Sequence, residues 1–168
     1  MVRTGKRGLV LGASIIGLFC LLWFTDSLYP LWSADGPLDE VMIADQRLLL
    51  AEADGKCVLK VLPDNYLLEI DVGLPCYFQR MEGMLLIESF PAFSVDRIFA
   101  VIGTSLNEET RNSFGLDPSI VCAEKAQGIL IDRGQLVAVD RVADGGVWCR
   151  DEGVDRKRYW EFAETFRD

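Results

Sequence analysis

The chain has 168 residues, with 26 acidic against 17 basic side chains, a net charge of −9, and no histidine. That balance excludes a nucleic-acid-binding surface, which relies on clustered Lys and Arg to meet phosphates. The missing imidazole excludes Ser-His-Asp and Cys-His catalysis and removes the commonest metal ligand.

Arg3, Lys6 and Arg7 precede residues 8–24, a run without a charged side chain. As a helix this run measures about 26 Å, close to the hydrocarbon core of a bilayer. Thr25, Ser27 and Leu28 extend it, and Asp26 and Pro30 mark its end. Trp23, Tyr29 and Trp32 supply amphipathic rings of the kind that settle at the membrane interface. Basic residues lie before the run and acidic ones only after it, which orients the N-terminus to the cytoplasm. The sequence therefore predicts a cytoplasmic tail over residues 1–7 and a single-pass signal anchor in the inner membrane over 8–28. A juxtamembrane connector over 29–46 and an exterior, periplasmic domain over 47–168 follow. A cleaved signal peptide competes with the anchor, but Thr25-Asp26-Ser27 makes a poor cleavage site. Bulky Phe19 beside Cys20 does not suit a lipoprotein signal.

Three of the basic residues lie before the run, which leaves 14 against 26 acidic residues, a net of −12, for the exterior part. Such a field suits a basic protein as partner. Cys57, Cys76, Cys122 and Cys149 stand in this part, an even count that reads as two disulfides in an oxidising compartment. They lack the close C-x-x-C spacing of structural zinc sites. Four cysteines permit three pairings; Cys57 with Cys76 and Cys122 with Cys149, each closing a local hairpin, is the preferred one.

In chain order, Asp39 and Glu40 after Pro37 predict one or two helical turns over 38–46. Asp54-Gly55 between two apolar runs predicts a hairpin. Strands follow over 57–62 and 66–72 around a Pro63-Asp64-Asn65 turn. In the second strand Leu68, Ile70 and Val72 alternate with Glu69 and Asp71, so the aliphatics face a core and the carboxylates face water. Gly73-Leu74-Pro75 breaks the pattern before Cys76, and Gly83 opens another apolar run. Residues 98–102, apolar without alternation, predict a central strand covered on both faces. The polar stretch 103–118, with a short helix over 107–112, is the longest loop and a candidate for recognition. Residues 128–131 and 136–139 flank a second hairpin turn at Asp132-Arg133-Gly134-Gln135. Asp155 caps a final helix in which Tyr159, Phe162 and Phe166 recur at helical spacing and pack on the sheet. The predicted fold is mainly β (α+β). A single N-terminal transmembrane helix precedes one antiparallel sheet domain with a C-terminal helix and two disulfides.

No phosphate-binding loop, dinucleotide fingerprint or nucleophile elbow is present. Asp140 to Gly145 has acidic residues out of register for a calcium loop. The charges Arg150, Asp151, Glu152, Asp155, Arg156, Lys157 and Arg158 are expected to form exposed ion pairs of small energetic weight. The expectation is therefore a non-enzyme with no cofactor and no metal. It is a membrane-anchored periplasmic protein-binding domain, of the immunity or inhibitor type directed against an envelope-targeting toxin by analogy of design. The alternatives are a constitutive single-pass subunit of a secretion or division complex, and a carboxylate-dependent hydrolase.

Overall fold

A computed structural model of the chain describes residues 37–166. The expected anchor, with Arg3, Lys6, Arg7, Trp23, Tyr29 and Trp32, lies outside the described residues, as does the topology expected from it.

Strands β1 (Asp39–Ile43), β2 (Gln46–Ala53), β3 (Lys56–Leu62) and β4 (Tyr66–Ile70) form one antiparallel meander in that order. Asp54 and Gly55 join β2 to β3 with φ of 52° and 76°. Two positive dihedrals in a two-residue turn match the right-handed twist of the strands on either side. Strand β1 replaces the helical turns expected over 38–46. The sequence Asp-Glu-Val-Met-Ile turns Asp39 and Ile43 inward and leaves Glu40 and Met42 exposed. The sheet thus begins at Asp39, inside the stretch assigned to the connector.

The chain continues through β5 (Cys76–Phe78), a small hairpin of β6 (Arg80–Met81) and β7 (Met84–Leu85), then β8 (Glu88–Phe90) and β9 (Val95–Ser105). Helix α1 (Glu108–Ser113), β10 (Cys122–Asp132), β11 (Gln135–Ala143), β12 (Trp148–Cys149) and α2 (Arg156–Glu164) complete it. In the second sheet β9 and β10 are the central pair. The free side of β9 is shared by β5 and β8, and that of β10 by β11 and β12.

Period-two alternation on β9 sorts its side chains between two cores. Phe99 and Val101 join Leu48, Leu50, Leu59 and Ile70 between the sheets. Ile98, Ala100 and Ile102 face Tyr159, Phe162 and Ala163 of α2. Three layers result, sheet on sheet on helix, and residues 98–102 are covered on both faces as their composition predicts. Gly128 permits the third layer: a Cβ there would lie 2.8 Å from Phe162 Cβ. The carboxylates of Glu69 and Asp71 are exposed while Ile70 and Val72 are buried, as the alternation predicts.

Helix α1 starts on Asn107, whose side chain accepts from the Thr110 N–H. Strand β9 runs to Ser105, so the stretch expected as a loop from Gly103 begins as strand. In α2 the Asp155 side chain accepts from the Lys157 N–H. Phe166, just beyond the end of the helix at Glu164, is 41 % exposed and lies at the sheet margin beside Val95 and Leu130, whereas Tyr159 and Phe162 are buried.

The disulfides are Cys57–Cys76 and Cys122–Cys149. The first does not close a local hairpin, because Cys57 is in the first sheet and Cys76 in the second. It staples the sheets together. The second joins directly paired residues of β10 and β12.

The sheets also meet along two seams without a ladder, β1 beside β5 and β4 beside β11. One buried polar side chain bridges each. At the first seam Asp39 Oδ2 accepts from the Phe78 N–H at 2.9 Å. At the second, Gln127 Oε1 accepts from the Asp71 N–H at 2.8 Å, while its Nε2 donates to Val139 O at 2.7 Å. Backbone groups left over at the sheet edges are thereby satisfied inside the domain.

Candidate functional site

The β6–β7 hairpin carries the most exposed apolar group among the described residues. Glu82 and Gly83, with φ of 54° and 79°, form its two-residue turn. Met81 and Met84 are cross-strand partners, 47 % and 70 % exposed, and Ile87 just beyond is 38 % exposed. Thioether side chains are flexible and polarisable, which suits them to irregular partner surfaces. Below the tip, Leu85 packs on the core between the sheets and Leu86 on the core under α2.

The base of the hairpin is held by buried charge. Arg80 Nη2 donates to Asp39 Oδ1 at 2.6 Å and to Glu40 O at 2.9 Å. Arg150 Nη2 donates to the same Asp39 oxygen at 3.2 Å, with its guanidinium 5.2 Å from the Tyr77 ring centre. Asp39 Oδ1 also accepts from the Glu40 N–H. With the Phe78 N–H on Oδ2, this carboxylate has four donors, the condition under which a buried charge is tolerated. The expectation of exposed ion pairs is therefore corrected for Arg150, which turns inward to Asp39, while the pair of Arg156 with Glu88 is exposed as expected. Arg150 crosses to Asp39, Arg156 bonds Glu88 at 3.0 Å, and Arg158 lies over the Trp148 ring. Burial of Asp39 decides this, because an inward carboxylate draws in the cations within reach.

Gln79, fully buried, ties the hairpin to three other segments. Its Nε2 donates to Cys149 O and Gly153 O, and its Oε1 accepts from the Tyr159 hydroxyl at 3.2 Å. Burial pushes the Tyr159 phenol well above its ordinary range. A folded-state pKa raised above the unfolded one stabilises the domain fully below the unfolded value and ceases to do so as pH rises through the folded one. The stability of the domain should therefore fall as pH rises above about 10, where an unfolded tyrosine ionises. Thermal melts across alkaline pH, with tyrosinate absorbance followed in parallel, should show this. Tyr159→Phe should flatten the alkaline slope while costing about 1 kcal/mol at neutral pH for the lost hydrogen bond. An unchanged slope in the variant would refute it.

Exposed acids flank the apolar tip. Glu82 lies in its turn, and Asp151 and Glu152 lie beside it through the bridge from Met81 to Glu152. Among the described residues no three His, Cys, Asp or Glu side chains gather as a metal site. The arrangement is equipped to bury apolar groups beside a positive charge.

Of the residues singled out in the sequence, the cysteines are brought together in two pairs, and β12 with Cys149 adjoins the hairpin base. Helix α1 makes no bond to Asp39, but the loop after it reaches the cluster through its backbone, where Val121 O accepts from the Arg150 N–H at 2.8 Å. The only sign of the hairpin in the sequence is two methionines around Glu82-Gly83, which does not mark a site. No protein-family model, no curated protein and no solved structure matches the chain. Fold and site define a disulfide-braced, three-layer β domain that presents a methionine hairpin on a charged, buried base.

Proposed function

We propose that the chain is a membrane-anchored periplasmic domain that binds a basic protein, with the Met81–Met84 hairpin as its contact. Immunity or inhibition against an envelope-targeting toxin is the particular form of that role. One observation carries the reading: two large apolar side chains stand in water at the tip of a hairpin whose base is fixed by Asp39, Arg80, Arg150 and Gln79. A fixed base means that little ordering entropy is lost on binding. The acidic flank of Glu82, Asp151 and Glu152 complements a basic partner and speeds encounter.

Photocrosslinking from position 84 of the full chain in its native cells should capture one basic protein. If each methionine contributes about 1 kcal/mol, Met81→Ser with Met84→Ser should weaken its binding about 30-fold, with the melting temperature unchanged. Equal binding by the double variant would refute the hairpin as the contact. Insensitivity of the on-rate to salt would remove the electrostatic part of the proposal.

A further inference from the structure

Three hairpin turns converge on one end of the β4–β11 seam. Gln46 follows the β1–β2 turn, Asp64 lies in the β3–β4 turn and Gly134 in the β10–β11 turn, and all three line a single cleft of about 330 Å³. Buried Val61 and Leu136, both part of the core between the sheets, give it an apolar floor. Exposed Tyr66 forms a wall. Gln127 holds the seam shut where it bridges Asp71 and Val139, so the cleft is the open mouth of an otherwise closed junction. Its volume is at the low end for ligand sites, which suits one side chain rather than a length of polypeptide.

The charges around the mouth do not cancel. Arg47 is paired with Glu40 at 2.6 Å, and Arg133 approaches Asp132 at 3.8 Å. Asp64 in the cleft, and Asp45 beside Gln46, are in no ion pair among the described residues. An occupant that fits therefore has an apolar stem and a positive end, and an aromatic wall is also favourable for a cation. We propose that this cleft receives a lysine or arginine side chain of the bound protein, as a second point of contact separate from the methionine hairpin. The source of that side chain rests on the protein-binding reading; the chemistry of the cleft does not.

The test uses the purified, isotope-labelled full chain titrated with n-hexylammonium and, separately, with hexanoate, which has a similar stem and the opposite charge. Saturable amide shifts at Val61, Tyr66, Gly134 and Leu136 are expected with the ammonium alone. Asp64→Asn should weaken them about fivefold, the scale of one exposed charge pair. Met81→Ser with Met84→Ser should leave them unchanged, so that failure of the hairpin reading and failure of the cleft are separable. Absent shifts, equal shifts with hexanoate, or indifference to Asp64→Asn would overturn the cleft as a cation site. If the ammonium binds but Asp64→Asn leaves capture of the crosslinked partner intact, the assignment to a partner side chain is overturned.

Discussion

Reduction of both disulfides should strip the domain of much of its stability. Cys57–Cys76 and Cys122–Cys149 span sequence separations of 19 and 27 residues. Loop-closure entropy assigns each about 3 kcal/mol, and the pair about 6–7 kcal/mol. A domain of this size has about 5–15 kcal/mol in total, so reduction should remove from nearly half to all of its stability. Circular dichroism melts with and without reductant, with thiol counting to confirm reduction, should show the cooperative transition lost or shifted far down. A fully reduced chain that melts unchanged would refute the estimate. The two bridges should also differ in kind. Paired Ser substitutions at Cys57 and Cys76 free one sheet from the other. The same change at Cys122 and Cys149 frees β12, which leads to Arg150, and so should disturb the hairpin base selectively. Each pair should lower the melting temperature by roughly 10 °C.

Asp39→Ala should be among the most damaging single substitutions, costing about 3–5 kcal/mol. It strands the Arg80 guanidinium, which is almost wholly buried, and leaves the Phe78 N–H without its acceptor. Breaking one partner of a buried pair costs more than the pair is worth, because the remaining charge is uncompensated. Asp39→Leu combined with Arg80→Met should therefore recover much of the loss. Denaturant midpoints of the single and double variants decide the matter. A cost below about 1 kcal/mol for Asp39→Ala would show that the cluster is hydrated rather than buried.

Those features were legible in the sequence where the physics is local. Asp54-Gly55 between two apolar runs favours a hairpin turn over the helix C-cap that Gly55 also allows, and residues 98–102 are too apolar for a strand with a wet face. Leu68, Ile70 and Val72 alternate cleanly enough to fix which face is buried. Strand β1 was illegible because Asp39 and Glu40 after Pro37 are locally a good helix start. What overrides that preference lies 41 and 111 residues away, at Arg80 and Arg150. The methionine hairpin escaped because its strands are two residues each, too short for any period to register. The preferred cysteine pairing is the one observed, yet neither bridge closes a local hairpin: the chain changes sheets between Cys57 and Cys76, and β11 intervenes between Cys122 on β10 and Cys149 on β12. Gln127 gives no sign in sequence of joining Asp71 to Val139.

Asp39 also acts as a registration pin. Because side chains alternate across a strand, sliding β1 by one residue would turn Asp39 to solvent and present Glu40 to the two guanidiniums, with Ile43 expelled from the core. A longer acid cannot take the Phe78 N–H and both arginines from the same backbone position, so the slipped pairing has no stable form. An inward charge on an edge strand likewise denies that edge to a strand from another molecule. The same carboxylate that holds the hairpin thus keeps the first strand in its own sheet and out of its neighbours'.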